Sequence, residues 1–203
     1  MHKEQNKGVE MQYRQAELKD LADVAKLVTL EFAGEIAQEM PYLKEQGNPN
    51  KFLVVWNQCI NLDTHNIFVC YEGDTLLGAI GGYVVNQTYS DHPLYGVEDF
   101  WFVKKQYRSK HGIGGKLYKM LEAWFKQIGA DKIQMMHYPY APKLKDFYEG
   151  QGFKILETTY IKSLKAVEDA SFEDVLESVS DPVNMDIEPS VNEQQEEEYI
   201  NGP

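Results

Sequence analysis

The sequence predicts a mixed α/β domain with a central sheet as its spine. Three observations carry that expectation. Strand-like and helix-like segments follow one another in the order strand, two helices, three strands, helix, strand, helix, strands. A hairpin turn, Glu72-Gly73-Asp74-Thr75, joins two of the strands. A further strand ending in Glu98-Asp99-Phe100-Trp101-Phe102-Val103 feeds a basic loop, Lys104 to His111, and then Gly112-Ile113-Gly114-Gly115 at the head of an amphipathic helix.

Each element has a local reason. Met1 to Glu10 is polar and reads as a flexible lead-in. Met11 to Ala16 alternates enough for a first strand. Lys19 or Asp20 opens a helix with Leu21, Val24, Leu27, Val28 and Phe32 on one face, and Gly34 and Pro41 are read as punctuation after it. A second helix is expected from about Asn50 to Asn61. Asn66 to Tyr71 and Leu76 to Val85 flank the hairpin turn, and Gly78, Gly81 and Gly82 mark a bulge or close packing. Leu94 to Val103 is the strand before the glycine turn. The helix after it carries Ile113, Leu117, Leu121, Trp124 and Ile128, and stops at Gly129. Lys132 to His137 is another strand. Pro142 sits in the first turn of a helix that ends near Gly150 to Gly152, and Phe153 to Ser163 holds one or two closing strands.

Composition narrows the function. The net charge of −12 is unevenly spread. From Lys165 onward there are 12 acidic residues and one lysine, which leaves Met1 to Leu164 close to neutral. General nucleic-acid binding is therefore disfavoured. No apolar run reaches the ~18 residues of a membrane span, and Met1 to Glu10 has no signal-peptide pattern. Cys59 and Cys70 have neither ligand nor redox spacing, so a reducing, cytoplasmic setting fits. The five histidines are scattered, and no metal is expected.

The glycine turn is the chemical focus. A helix N-terminus presents unpaired backbone N–H groups at the positive end of its dipole, and glycines let a ligand approach the backbone. Lys104, Lys105, Arg108, Lys110 and Lys116 add positive charge. The turn reads as a diphosphate cradle, although a plain strand-to-helix turn fits the same residues. It is not a P-loop, since Lys110 and Leu117 stand where glycine and Ser/Thr are needed. Leu117 also breaks the dinucleotide pattern G-x-G-x-x-G.

Four pieces, in order, resemble the GNAT family of acyl-CoA-dependent N-acyltransferases. They are the opening Met11–Asp20, the hairpin with Gly73-Asp74 and Leu77-Gly78, Val103-x-x-x-Tyr107-Arg108 followed by Gly112-Ile113-Gly114-Gly115-Lys116-Leu117, and Phe147-Tyr148-Glu149-x-x-Gly152-Phe153. The resemblance implies a GNAT-like mixed central sheet flanked by helices over residues 11–164; composition adds a flexible lead 1–10 and an acidic, largely disordered tail 165–203. There are two departures. Ser109 falls at the family's Gln/Arg position, with Arg108 one place early, as if the loop held one extra residue near His111. Ala141 stands where many members carry asparagine.

What the resemblance implies is direct transfer of an acetyl group from acetyl-CoA, as cosubstrate, to an amine on a small molecule or a protein. An ammonium has no lone pair, so a carboxylate must help remove a proton. Glu98 is the candidate base, on the strand leading to the cradle, with Asp99 expected on the opposite face of the sheet. A strand-edge carboxylate held by solvent or lysine is the alternative. Tyr148 matches the family tyrosine beside the thiol and is the candidate acid; an aromatic packing residue is the alternative. A backbone N–H near Phe102 or Val103 is the candidate donor to the carbonyl oxygen. The cofactor-binding set implied is Phe102, Val103, Arg108, Ser109, Lys110, His111, Gly112, Ile113, Gly114, Gly115 and Lys116. His137 is a second candidate base, or a wall of the site. Trp56 and Tyr42 are candidates for shaping the acceptor side, and Trp101, Trp124 and Phe125 for the core.

A second function class competes: a GNAT-fold interaction protein, catalytically weak or inactive, acting through its acidic tail on a basic protein partner. Ser171 to Val179 has helical spacing and a candidate cap for such a role. The closing strands are candidates for pairing with a second copy, giving a homodimer. The acceptor's identity is not encoded in any motif.

Overall fold

The computed structural model describes residues 10–41, 47–86, 94–109 and 111–161. Tyr42, Lys110 and the whole tail 165–203, with its expected helix at Ser171 to Val179, lie outside the described residues.

Five strands form one sheet in the order β1-β2-β3-β4-β5. These are β1 (Met11–Gln15), β2 (His65–Glu72), β3 (Thr75–Asn86), β4 (Leu94–Val103) and β5 (Lys132–Gln134). The first four are antiparallel to their neighbours, and β5 runs parallel to β4. Short turns suffice between antiparallel neighbours, whereas a parallel pair needs a crossover. Here the crossover is α4 (Ile113–Gln127), which is why the glycine turn sits at the end of β4.

The first helical segment is fixed to β1 by one carboxylate. Arg14 donates two bonds to buried Asp20, at 2.6 and 2.8 Å, and Asp20 also accepts from the Glu17 N–H at 2.7 Å. The guanidinium holds the Asp20 carboxyl below its ordinary pKa. A 3-10 turn at Leu18–Asp20 then leads into α1 (Leu21–Lys26), a π-helical turn (Leu27–Phe32) and α2 (Ala33–Glu39). The π turn widens the spiral, so the regular apolar spacing shifts. Leu27 stays buried, Leu30 turns outward, and the Phe32 ring reaches Phe102 at 5.2 Å. Such turns are uncommon and recur near functional sites. Gly34 does not punctuate the helix as expected; it lies inside α2. α3 (Pro49–Cys59) begins with proline in its first turn, capped by the Asn48 side chain accepting from the Lys51 N–H at 3.1 Å.

The sheet separates two apolar cores. Leu21, Val24, Leu27 and Trp56 pack on one face against Ile67, Val69, Phe100 and Phe102. Ile113, Leu117, Leu121 and Phe125 of α4 pack on the other against Phe68, Cys70, Leu77 and Ile80. Trp101 and Trp124 are only partly buried against the second core. Cys59 and Cys70 are free thiols. Glycine makes the close approaches possible: a Cβ on Gly81 would meet the Phe100 ring at 2.5 Å, and one on Gly96 the Phe125 ring at 2.5 Å.

Two strand expectations are corrected. β5 ends at Gln134 rather than His137, because its pairing to β4 covers only Tyr95↔Lys132, Gly96↔Ile133 and Val97↔Gln134. No strand is found in 153–161, and Ile155, Leu156, Tyr160 and Ile161 are exposed. Strand propensity needs a cross-strand partner, and among the described residues no strand pairs with this segment. α5 (Pro142–Gly150) ends as expected, with Gly152 at φ +87°.

Candidate active site

The site begins with a defect in the sheet. Phe100 pairs with Gly81 and Glu98 with Gly82, so Asp99 is an extra, unpaired residue in β4. This is a β-bulge, which re-aims side chains and interrupts a ladder. Gly96, two residues before Glu98, faces the Phe125 ring on the α4 side. Phe100 lies in the opposite core with Trp56. Asp99 lies beside Trp56 and His65, on that opposite side.

Beyond Val97, β5 no longer accompanies β4. The chain after Gln134 leaves the sheet, and its backbone groups need other partners. Met136 finds them in side chains. Its N–H donates to Glu98 Oε2 at 3.1 Å, and its carbonyl accepts from the Tyr148 hydroxyl at 3.0 Å. Glu98 and Tyr148, far apart in sequence, are thus bracketed by one peptide residue.

Both side chains are shielded from solvent. Glu98 is 6% exposed. Burial pushes its pKa up to about 7, with the Asp99 charge adding to the rise and the Met136 N–H opposing it. Tyr148 is 7% exposed, and burial together with the nearby Glu98 and Tyr118 drives its pKa well above the usual phenol value. It therefore keeps its proton at neutral pH. Its ring is framed by Phe153 at 5.4 Å, Trp101 at 6.2 Å and His137 at 6.4 Å. His137 itself is exposed.

An aromatic wall continues from this pair. Tyr138 stands edge-on to Phe32 at 6.1 Å and stacks on Tyr140 at 5.7 Å. Burial and the Glu98 charge raise the Tyr138 pKa. Trp56 is buried against Phe52 and Phe100.

The glycine turn stands at the other end of β4. Ser109, His111 and Gly112 have φ of +59°, +58° and +65°. Non-glycine residues rarely adopt that region, so the loop carries strain at two positions. A Cβ on Gly112 or Gly115 would meet nothing within 4 Å, whereas one on Gly114 would approach Trp101 at 3.3 Å. The open side is thus the side of Gly115. A groove of about 530 Å³ borders it, lined by Tyr13, Gly112, Gly115, Lys116, Lys119 and Met120.

The basic side chains expected at the cradle are distributed differently. Arg108 makes a two-bond ion pair with Glu35, at 2.8 and 2.8 Å. Lys104 lies 3.4 Å from Glu31. The Lys116 ammonium sits 4.8 Å above the Tyr13 ring. Backbone N–H groups of Ile113, Gly114 and Gly115 are the donors left at the helix start. Among the described residues no group of three or more His, Cys, Asp or Glu is placed to hold a metal, and no helix is long and apolar enough to cross a membrane.

Nothing in the sequence marks Met136 or Glu35 as site residues. Met136 acts through its backbone, which leaves no signature. Glu31 lies in the π turn and Glu35 in α2, and no spacing in the sequence links either to the basic loop.

A family model described as the acetyltransferase (GNAT) family matches residues 30–153, which include Glu98, the glycine turn and Tyr148. The chain belongs to that family. No curated protein matches the sequence. Among solved structures, the GNAT chain is similar to a tetramutant of the BH1408 protein from Bacillus halodurans, with 18% identity, a TM-score of 0.62, and coverage of 75% of this chain and 99% of that one. It is similar to glucosamine-6-phosphate N-acetyltransferase from Arabidopsis thaliana, with 17% identity, a TM-score of 0.57, and coverage of 77% and 99%. It is also similar to aminoglycoside N-acetyltransferase AAC(6')-Iy in complex with CoA, with 15% identity, a TM-score of 0.57, and coverage of 79% and 98%. At these identities the likeness establishes the GNAT fold: a mixed five-strand sheet with flanking helices. As a member of the family, the chain is an acetyltransferase.

Proposed function

We propose that this acetyltransferase moves an acetyl group from acetyl-CoA to an amine, borne by a small molecule or a protein, through direct attack. The observation that carries the reading is the buried Glu98 carboxylate, pushed up to about 7, at the mouth of the β4–β5 divergence and joined to Tyr148 through Met136. A base with a pKa near the working pH is well matched to a proton-transfer role, unlike an ordinary carboxylate.

In this reading the thioester lies along the unpaired edge of β4, and its diphosphate meets the N–H groups of Ile113, Gly114 and Gly115. Ser109, His111 and Gly112 shape the approach, and Phe102 and Val103 supply the strand edge. The amine nitrogen attacks the carbonyl carbon, its proton passes to Glu98 directly or through water, and the carbon–sulfur bond breaks. A backbone N–H at the end of β4 meets the developing oxyanion. Tyr148 donates its hydrogen bond to the departing sulfur, which requires its hydroxyl to turn away from the Met136 carbonyl. The CoA complex of the aminoglycoside acetyltransferase supports the choice of cofactor.

Release of free thiol from acetyl-CoA, followed across a panel of primary amines, tests this. Turnover with any amine that is lost in Glu98→Gln supports it. Binding of acetyl-CoA without turnover on any amine would instead favour an interaction protein of this fold.

A further inference from the structure

Three of the five N–H groups of the Arg108 guanidinium are engaged within the protein. Its two terminal nitrogens bond both oxygens of Glu35, its Nε donates to the Val103 carbonyl at 2.8 Å, and its plane lies 4.7 Å from the Phe102 ring centroid. Val103 is the last residue of β4, on the stretch that β5 no longer pairs. Arg108 is also the pivot between the 3-10 turn Lys105–Tyr107 and the left-handed Ser109. Glu35 belongs to α2, an element remote in sequence from the glycine turn.

We propose that Glu35 and Arg108 form a positioning pair that locks the acceptor-side helix α2 to the end of the cofactor strand and sets the aim of the glycine loop. Arg108 is thereby withheld from the cofactor's phosphates. A planar fork with matched hydrogen bonds fixes geometry in a way that a lysine does not. The nearby Lys104–Glu31 contact, longer and with the more exposed carboxylate, has no such fork and serves as an internal control. The inference rests on the proposed acetyl-CoA site, but the pair can also be read without ligand.

Two measurements on the full chain decide it. Native-state hydrogen exchange is followed for amides between Lys104 and Gly112, without ligand, in wild type, Glu35→Gln and Glu31→Gln. Acetyl-CoA binding and steady-state kinetics are measured on the same proteins and on Glu35→Asp. The pair predicts faster exchange in Glu35→Gln but not in Glu31→Gln. It predicts acetyl-CoA binding weakened by about tenfold in Glu35→Gln, with KM rising more than kcat falls, and substantial recovery in Glu35→Asp. Unchanged or tighter binding in Glu35→Gln would overturn the proposal, since Arg108 would then be a phosphate ligand released by the change. Equal effects of the two Gln variants would also overturn it. If wild type binds no acetyl-CoA, the functional reading falls, while exchange still decides the pair.

Discussion

Glu98 and Tyr148 are joined through the two backbone groups of a single residue. The Met136 N–H donates to the carboxylate and the Met136 carbonyl accepts from the phenol. The arrangement exists because β5 ends at Gln134, which leaves Met136 without a ladder partner. The proposed base and the proposed proton donor are thereby held at one spot by a peptide unit that a longer β5 would have consumed in the sheet.

Replacing Glu98 by glutamine keeps an oxygen for the Met136 N–H and removes the proposed base. Turnover should fall by roughly 10²–10⁴. Acetyl-CoA binding should change little, which separates a catalytic loss from a collapsed site. Titration of cofactor alongside the rate measurement checks both.

The pH dependence follows from the raised carboxylate. In wild type, kcat/KM should climb through pH about 7 as Glu98 loses its proton. Stability should move the other way. Folding raises this pKa, so the folded chain holds the proton more tightly than the unfolded one, and stability is lost as pH rises from about 4.5 through about 7. Glu98→Gln escapes that loss. Its melting temperature should exceed that of wild type at pH 8 by the equivalent of a few kcal/mol at most, and match it near pH 4.5. Thermal scans at the two pH values provide the comparison.

Tyr148→Phe deletes one hydroxyl and leaves the Met136 carbonyl without that donor. The ring contacts with Trp101 and Phe153 remain, so the cost in stability should be about 1–3 kcal/mol. Turnover should drop by roughly 10–100-fold, within the range of a single positioned proton donor. Loss should be least with acyl donors whose thiol leaving group is most acidic.

Two glycines separate packing from binding. Gly96→Ala places a Cβ 2.5 Å from the Phe125 ring and should destabilise the fold by about 1–3 kcal/mol. Gly115→Ala meets nothing within 4 Å and replaces a glycine in the first turn of α4, so it should leave the fold as stable or up to about 1 kcal/mol more so. Denaturant titration of the two variants ranks them.

The sheet and its helices were legible because their signals are local. β4, α4 and α5 have bounds close to those expected from apolar spacing, Gly129 and Pro142. The bulge was half legible. Gly81 and Gly82 marked the place, but the extra residue, Asp99, sits in the facing strand. The closing strands misled because Ile155, Leu156 and Ile161 have the right propensity, while pairing is a property of a partner. The π turn left no trace, since its residues would suit an ordinary helix. At the site, Glu98 and Tyr148 could be singled out individually, but their junction at Met136 is a backbone fact. The ion pair of Arg108 was not legible, because Glu35, which engages it, is distant in sequence.

The most direct measurement is calorimetric titration of acetyl-CoA into wild type and Gly115→Asp. The aspartate enters open space in the first turn of α4, where a negative charge favours the helix dipole. It should therefore melt no lower than wild type, yet repel a diphosphate. The account predicts micromolar binding to wild type and at least tenfold weaker binding to the variant. No binding by folded wild type, or equal affinity in Gly115→Asp, would contradict a cofactor cradle at the start of α4.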